Sequence, residues 1–166
     1  FDFTPMTDHQ LQGYYWDFPS YVDGQPYMNR GVFDSRARPE RPKADLKQTL
    51  TDSMAVRGRE MKAYKLKGHP IRWWDKDGRF AQHRIILVGD AAGVDPLMGE
   101  GISFALGYGE IAADALQDAF TRQDFSFSTY KTRLNKHPLF KQLRIRVWLA
   151  RFAYILKSNR FLGGGW

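Results

Sequence analysis

The chain has 166 residues and no cysteine, so it is long enough to bury roughly 70% of its unfolded surface, yet a disulfide framework, a zinc–thiolate site and thiol catalysis are excluded. The absence of cysteine is compatible with a cytoplasmic protein, and with no apolar run of about 18 residues and no visible signal peptide, no spanning helix is expected. The net charge of +7 is concentrated at one end: residues 125–166 hold nine of the 25 Lys and Arg and none of the 18 Asp and Glu, leaving residues 1–124 at −2.

Residues 10–22 and 25–33 read as two strands joined at Asp23-Gly24, a hairpin signal. The first contains Tyr14-Tyr15-Trp16-Asp17-Phe18-Pro19, in which Tyr14, Trp16 and Phe18 fall on one face. That face is either ordinary core or the lining of an apolar pocket, and an empty pocket can be both. A Pro- and Arg-rich break over 36–42 precedes a helix over 43–57, with Leu46, Leu50 and Met54 at helical spacing and Gly58 as its C-cap. Residues 64–74 look extended, and Asp75-Lys76-Asp77-Gly78 reads as a turn.

Residues 84–113 carry the densest signal. Arg84 to Val88 is a short β-branched run that predicts a buried strand ending at Gly89-Asp90. Pro96 and the glycines at 93, 99 and 101 then lead into a small-residue helix starting at Gly101, with Ala105, Gly109, Ala112 and Ala113 as a thin face for a sheet. A carboxylate at a strand end accepts strong hydrogen bonds from sugar or ribityl hydroxyls, and the N–H groups of a helix N-terminus favour an anion. Gly99 and Gly101 would let a flat ring approach those N–H groups. Gly107-Tyr108-Gly109-Glu110-Ile111-Ala112 matches G-x-G-x-x-A by letter but follows no strand, and reads as packing.

The histidines at 9, 69, 83 and 137 have no metal-ligand spacing, and no metal site is expected. The basic region predicts helices over 128–136 and 138–158, the second with Leu139, Leu143, Val147, Ala150 and Tyr154 recurring at three- and four-residue steps. A packed helix with a solvated basic face and a membrane-surface helix both suit residues 138–158, and nucleic-acid binding is set aside.

GDAAG followed by DPLMGEGI and a helix of AxxxGxxAA type resembles the second FAD-binding motif of the glutathione-reductase-like flavoproteins. Aromatic-ring hydroxylases of that superfamily carry a His after GDAA, a Gln between the two glycines and an Asp-Ala in the helix, where this chain has Gly93, Glu100 and Gly109-Glu110. That difference, together with YWDFP, which is similar to a YxWxFP signature, points to the geranylgeranyl reductase branch. The resemblance covers most of residues 10–120.

What it implies is an oxidoreductase of lipid or chlorophyll biosynthesis that saturates isoprenoid double bonds. A hydride would pass from reduced flavin N5 to one alkene carbon and a proton would reach the other. FAD would be the cofactor, held by Gly89, Asp90, Pro96, Gly99, Gly101 and Ile102, with NADPH or ferredoxin as candidate electron donors. Tyr14, Trp16, Phe18 and Pro19 would guide the isoprenoid. No residue stands out as the proton donor, and Glu100 suits the helix dipole while opposing an anionic flavin.

The chain begins at Phe1 without an early G-x-G-x-x-G, so it is expected to lack the N-terminal half of the FAD-binding domain. The expected fold is α/β, an α+β fragment: part of a sheet-rich substrate domain over 1–80, the C-terminal segment of a Rossmann-like FAD domain over 81–124, and a basic helical region over 125–166 that rests peripherally on a membrane surface. The rival readings are a flavin-dependent aromatic hydroxylase of the same fold, or a non-catalytic module that docks on a membrane or partner.

Overall fold

A computed structural model describes residues 1–156 of the protein. The architecture is mixed α+β, with two small antiparallel sheets and several helices, divided into the units Phe1–His69 and Pro70–Trp166.

In the first unit a short helix α1 (Pro5–Asp8) precedes β1 (Gly13–Val22) and β2 (Gln25–Asp34), which pair along their whole length from Gly13 opposite Asp34 to Val22 opposite Gln25. Their turn is the expected Asp23-Gly24. Both residues have positive φ, 50° and 73°, a geometry whose twist matches that of the flanking strands. The Asp2 and Tyr15 main chains exchange hydrogen bonds of 2.9 and 2.8 Å, so the N-terminal segment covers part of the free edge of β1.

Helix α2 (Leu46–Ala55) lays Leu50 and Met54 against Tyr15, with Val32 and Met61 at the margin of this small core. Asp45 caps it by accepting from the Gln48 N–H at 2.9 Å. At the other end Gly58, at φ 65°, donates to Ala55 O, while the Arg59 N–H reaches Met54 O. This pair of bonds satisfies carbonyls that the helix leaves open.

The second unit opens with the predicted turn, in which the Gly78 N–H donates to Asp75 O and the Asp77 N–H to Asp75 Oδ1. Then come β3 (Ala81–Gln82), β4 (Ile85–Ile86), α3 (Gly89–Ala92), α4 (Ile102–Arg122), α5 (Tyr130–Lys136) and α6 (Pro138–Leu156). Phe104, Tyr108, Ile111 and Ala115 of α4 share one core with Tyr130 and Leu134 of α5, Phe140 and Leu143 of α6, and Trp74 and Phe80. Gly107 leaves room on α4 for a side chain of α6: a Cβ there would lie 2.3 Å from Leu139 Cδ2. The end of the helix expected over 138–158 lies outside the described residues.

Two expectations need correcting. Residues 84–88 are not a buried strand. Arg84 has φ 61°, only Ile85 and Ile86 pair, and Ile85 and Val88 are exposed. A strand needs neighbouring strands to pair with, and this stretch instead meets residues 80–82, the carbonyl of Phe125, to which the Arg84 N–H donates, and the Tyr130 hydroxyl, which donates to Leu87 O. Residues 64–74 likewise contribute no strand. They make one parallel bridge, Trp73 beside Val94, fixed by bonds from Val94 N–H to Arg72 O and from Trp74 N–H to Val94 O.

Candidate functional site

The glycines of GDAAG and GEG are placed by close approaches. Gly89, at φ 54°, starts α3 and faces Ala105 Cβ in the first turn of α4. Gly93 has φ 108°, and a Cβ there would lie 2.4 Å from Trp73 O. Only glycine fits both that backbone and that gap. The Tyr108 hydroxyl, fully buried, donates to Gly93 O at 2.9 Å and ties the turn to the middle of α4. Burial, reinforced by Tyr130 and only partly offset by Arg72, pushes the Tyr108 hydroxyl pKa well above its ordinary value, so it remains a donor.

Asp90 sits in the first turn of α3, exposed, with no hydrogen bond or ion pair among the described residues. Its carboxylate faces the start of α4, where a Cβ built on Gly101 would stand 3.0 Å from Asp90 Oδ1. Gly101 is the N-cap of α4 and no side chain caps this end, which leaves the first N–H groups of a 21-residue helix open to a ligand. Gly89, Asp90 and Gly101 are thus brought together. Ile102 is 80% exposed beside them. Gly99, at φ 68°, turns the loop back by donating to Asp95 O, while Pro96 is buried instead of facing open space.

Sequence reasoning missed Asp95, whose side chain is fully buried inside the same loop. It accepts from the Leu97 N–H at 2.8 Å and the Met98 N–H at 3.1 Å, and pairs with Arg146 Nη1 of α6 at 2.6 Å. Arg146 also lies over the Phe104 ring, 5.7 Å from its centroid. The basic helix therefore holds the glycine loop in place. Asp-Pro marks a turn in sequence, but a partner 51 residues away leaves no local signal.

In the first unit, Tyr14, Trp16 and Phe18 form a continuous aromatic strip along one face of β1, with ring centroids 6.2 and 6.4 Å apart. Phe1, Phe3 and Phe33 extend it around Tyr14. The strip grades from buried Tyr14 through half-buried Trp16 to exposed Phe18, while Pro19, also exposed, alternates to the other face of the strand. Gly31 makes room for it, since a Cβ there would lie 2.3 Å from Trp16 Cζ2.

Asp17 points the other way, into an ionic network. It accepts from the Tyr15 hydroxyl and Arg30 Nε, both at 2.7 Å, and lies 3.5 Å from Arg57 Nε. Burial, reinforced by Asp17, pushes the Tyr15 hydroxyl up to about 12.

No protein-family model and no solved structure matches the chain. Two curated proteins do. The chain is 27% identical over 143 residues to an uncharacterized protein of Methanosarcina barkeri, a match spanning 86% of this chain and 35% of that protein. It is 31% identical over 101 residues to conditioned medium factor receptor 1 of Dictyostelium discoideum, spanning 57% of this chain and 20% of the receptor. The chain thus corresponds to about a third of one relative and a fifth of the other.

Proposed function

We propose that the chain is part of an FAD-dependent reductase resembling geranylgeranyl reductase, which saturates isolated double bonds of an isoprenoid chain. The observation that carries this reading is the unpartnered Asp90 carboxylate set against the uncapped N-terminus of α4, with a glycine at the point of contact. This donor set fits the two ends of a flavin's needs. Asp90 would accept from ribityl hydroxyls, and the main-chain N–H groups after Gly101 would face the electron-rich edge of the ring. Gly89, Gly99 and Ile102 would complete the cradle. When bound, reduced FAD would supply the hydride for one alkene carbon, with NADPH or ferredoxin as the class of electron donor. The aromatic strip of Tyr14, Trp16 and Phe18 would hold the apolar chain by burial alone, with no polar group to satisfy, and Pro19 would fix the strand beside it.

Two further features support the reading. Gly93 has no room for the side chain that aromatic-ring hydroxylases carry after GDAA, which favours the reductase over the hydroxylase. Along α4, Ile102, Leu106, Gly109, Ala113, Leu116 and Phe120 form an exposed apolar stripe opposite the buried face. A helix that covers the sheet of a Rossmann-like domain would present such a stripe. The complete protein would supply its remaining strands and the site for the ADP half of FAD.

The test is the visible spectrum of the purified full-length protein. Flavin bands in near-equimolar amount are expected. Asp90→Ala should weaken FAD binding by roughly 1–3 kcal/mol, the cost of leaving hydroxyls unpaired in a closed site, with the fold intact. A colourless protein that ignores added FAD refutes the flavin reading, and a folded Asp90→Ala variant with unchanged affinity removes Asp90 from the site.

A further inference from the structure

Helix α6 has two apolar faces. One holds Phe140, Leu143 and Ala150, all fully buried in the core of the second unit. On the opposite side Ile145, Trp148, Leu149 and Phe152 recur at steps of three and four residues, and all are exposed, Trp148 at 71%. The Trp148 and Phe152 rings lie parallel, 6.2 Å apart, so two large aromatic surfaces stand side by side toward solvent. Lys141 is exposed within this face, and Arg144 and Arg151 are exposed along its flank. Lys141 and Arg151 have no ion pair among the described residues, and Arg144 bonds only to the neutral Asn135, through its carbonyl and side-chain oxygens. No acidic residue occurs anywhere in 125–166 to neutralise them.

We propose that this outward face of α6 docks the protein on an anionic lipid bilayer. Its composition selects among partners. Single-stranded nucleic acid would use the cations and aromatic rings but leave Ile145 and Leu149 without a role, whereas a bilayer interface takes aliphatic and aromatic groups into the acyl boundary and cations at the headgroups. The helix lies along the surface, since its opposite face is committed to the protein core. No helix among the described residues is long and apolar enough to cross a membrane, so this attachment is peripheral and salt-sensitive. The surface is independent of the flavin reading, although a long isoprenoid would reach its enzyme most readily there.

The experiment is co-sedimentation of the full-length protein with vesicles of phosphatidylcholine containing 30% phosphatidylglycerol, against phosphatidylcholine alone, at low and high salt. The intact protein should pellet with the anionic vesicles and be released by salt. Each basic residue contributes severalfold, so replacing Lys141, Arg144 and Arg151 together by Gln should weaken binding on the order of a hundredfold. Trp148→Ser with Phe152→Ser should weaken it in a manner that salt does not reproduce. Both variants change exposed positions, and unchanged circular dichroism checks their fold. Indifference of the intact protein to both vesicle types at low salt overturns the proposal. So does a concentration-dependent dimer that Trp148→Ser dissociates, which would assign the face to a second copy, or retention on single-stranded DNA in preference to anionic vesicles.

Discussion

Asp90 and Asp95 lie five positions apart, and they differ in what can be read from sequence. Asp90 is recognisable because everything around it is local: the apolar run before it and the glycines after it define a carboxylate at a turn that faces a helix start. Asp95 owes its role to Arg146, and no spacing rule connects a loop to a helix 51 residues later. A buried carboxylate deprived of its cation is costly, whereas a pair removed together is not. Arg146→Gln should therefore destabilise the protein by about 3 kcal/mol, at the low end for a buried pair because the arginine is partly exposed. Adding Asp95→Asn should recover part of that loss. Chemical denaturation of the two single variants and the double variant measures the coupling. Strict additivity would mean that the pair does not hold the loop.

At the scale of elements, those that carry their own punctuation are legible. The β1–β2 hairpin needs only Asp23-Gly24, and α2 needs only the Asp45 cap and Gly58. The stretch from Arg84 to Val88 has strand composition without strand neighbours, so the described residues give it a two-residue ladder. Long-range ionic links are equally invisible in sequence. Arg57, just beyond α2, donates to Asp2 Oδ2 at 2.5 Å, approaches Asp17 and lies 4.2 Å from the centre of the Tyr15 ring. It thereby fastens the N-terminal segment and β1 to α2. The Arg57 guanidinium, helped by Thr4, holds the Asp2 carboxyl down at about 2, below its ordinary 3.8. A depressed carboxylate contributes stability that is complete above the unfolded value and lost as pH falls through the folded one. The thermal midpoint should therefore drop between about pH 4 and pH 2, and Arg57→Gln should flatten that part of the curve. Other carboxylates also titrate there, so the difference between the two profiles carries the result. Identical slopes would exclude the Asp2–Arg57 pair as a source of acid sensitivity.

For the whole molecule, composition separated a near-neutral stretch from a basic one, but packing draws its line elsewhere. The basic helices α5 and α6 share the core of α4, because Tyr130, Leu134, Phe140 and Leu143 fill the side of α4 that Phe104, Tyr108 and Ile111 present. Charge reports what faces water and is silent about which residues are buried together. The division between units falls after His69, in a stretch where residues 64–72 are exposed and form no regular element. Main chain of this kind has little to lose on entering a protease cleft, whereas sites within helices and ladders require local unfolding first. Lys65 and Lys67 are the trypsin sites in this stretch that precede the division. Brief digestion with dilute trypsin should therefore cut there before it cuts at Lys47 or Arg57 on and beside α2, or at Arg122 and Arg133 within α4 and α5. Mass spectrometry of the first products identifies the site. If the earliest cuts instead fall within α4 or α5, the shared core of the second unit opens more readily than its buried residues imply, and the division after His69 does not describe the protein in solution.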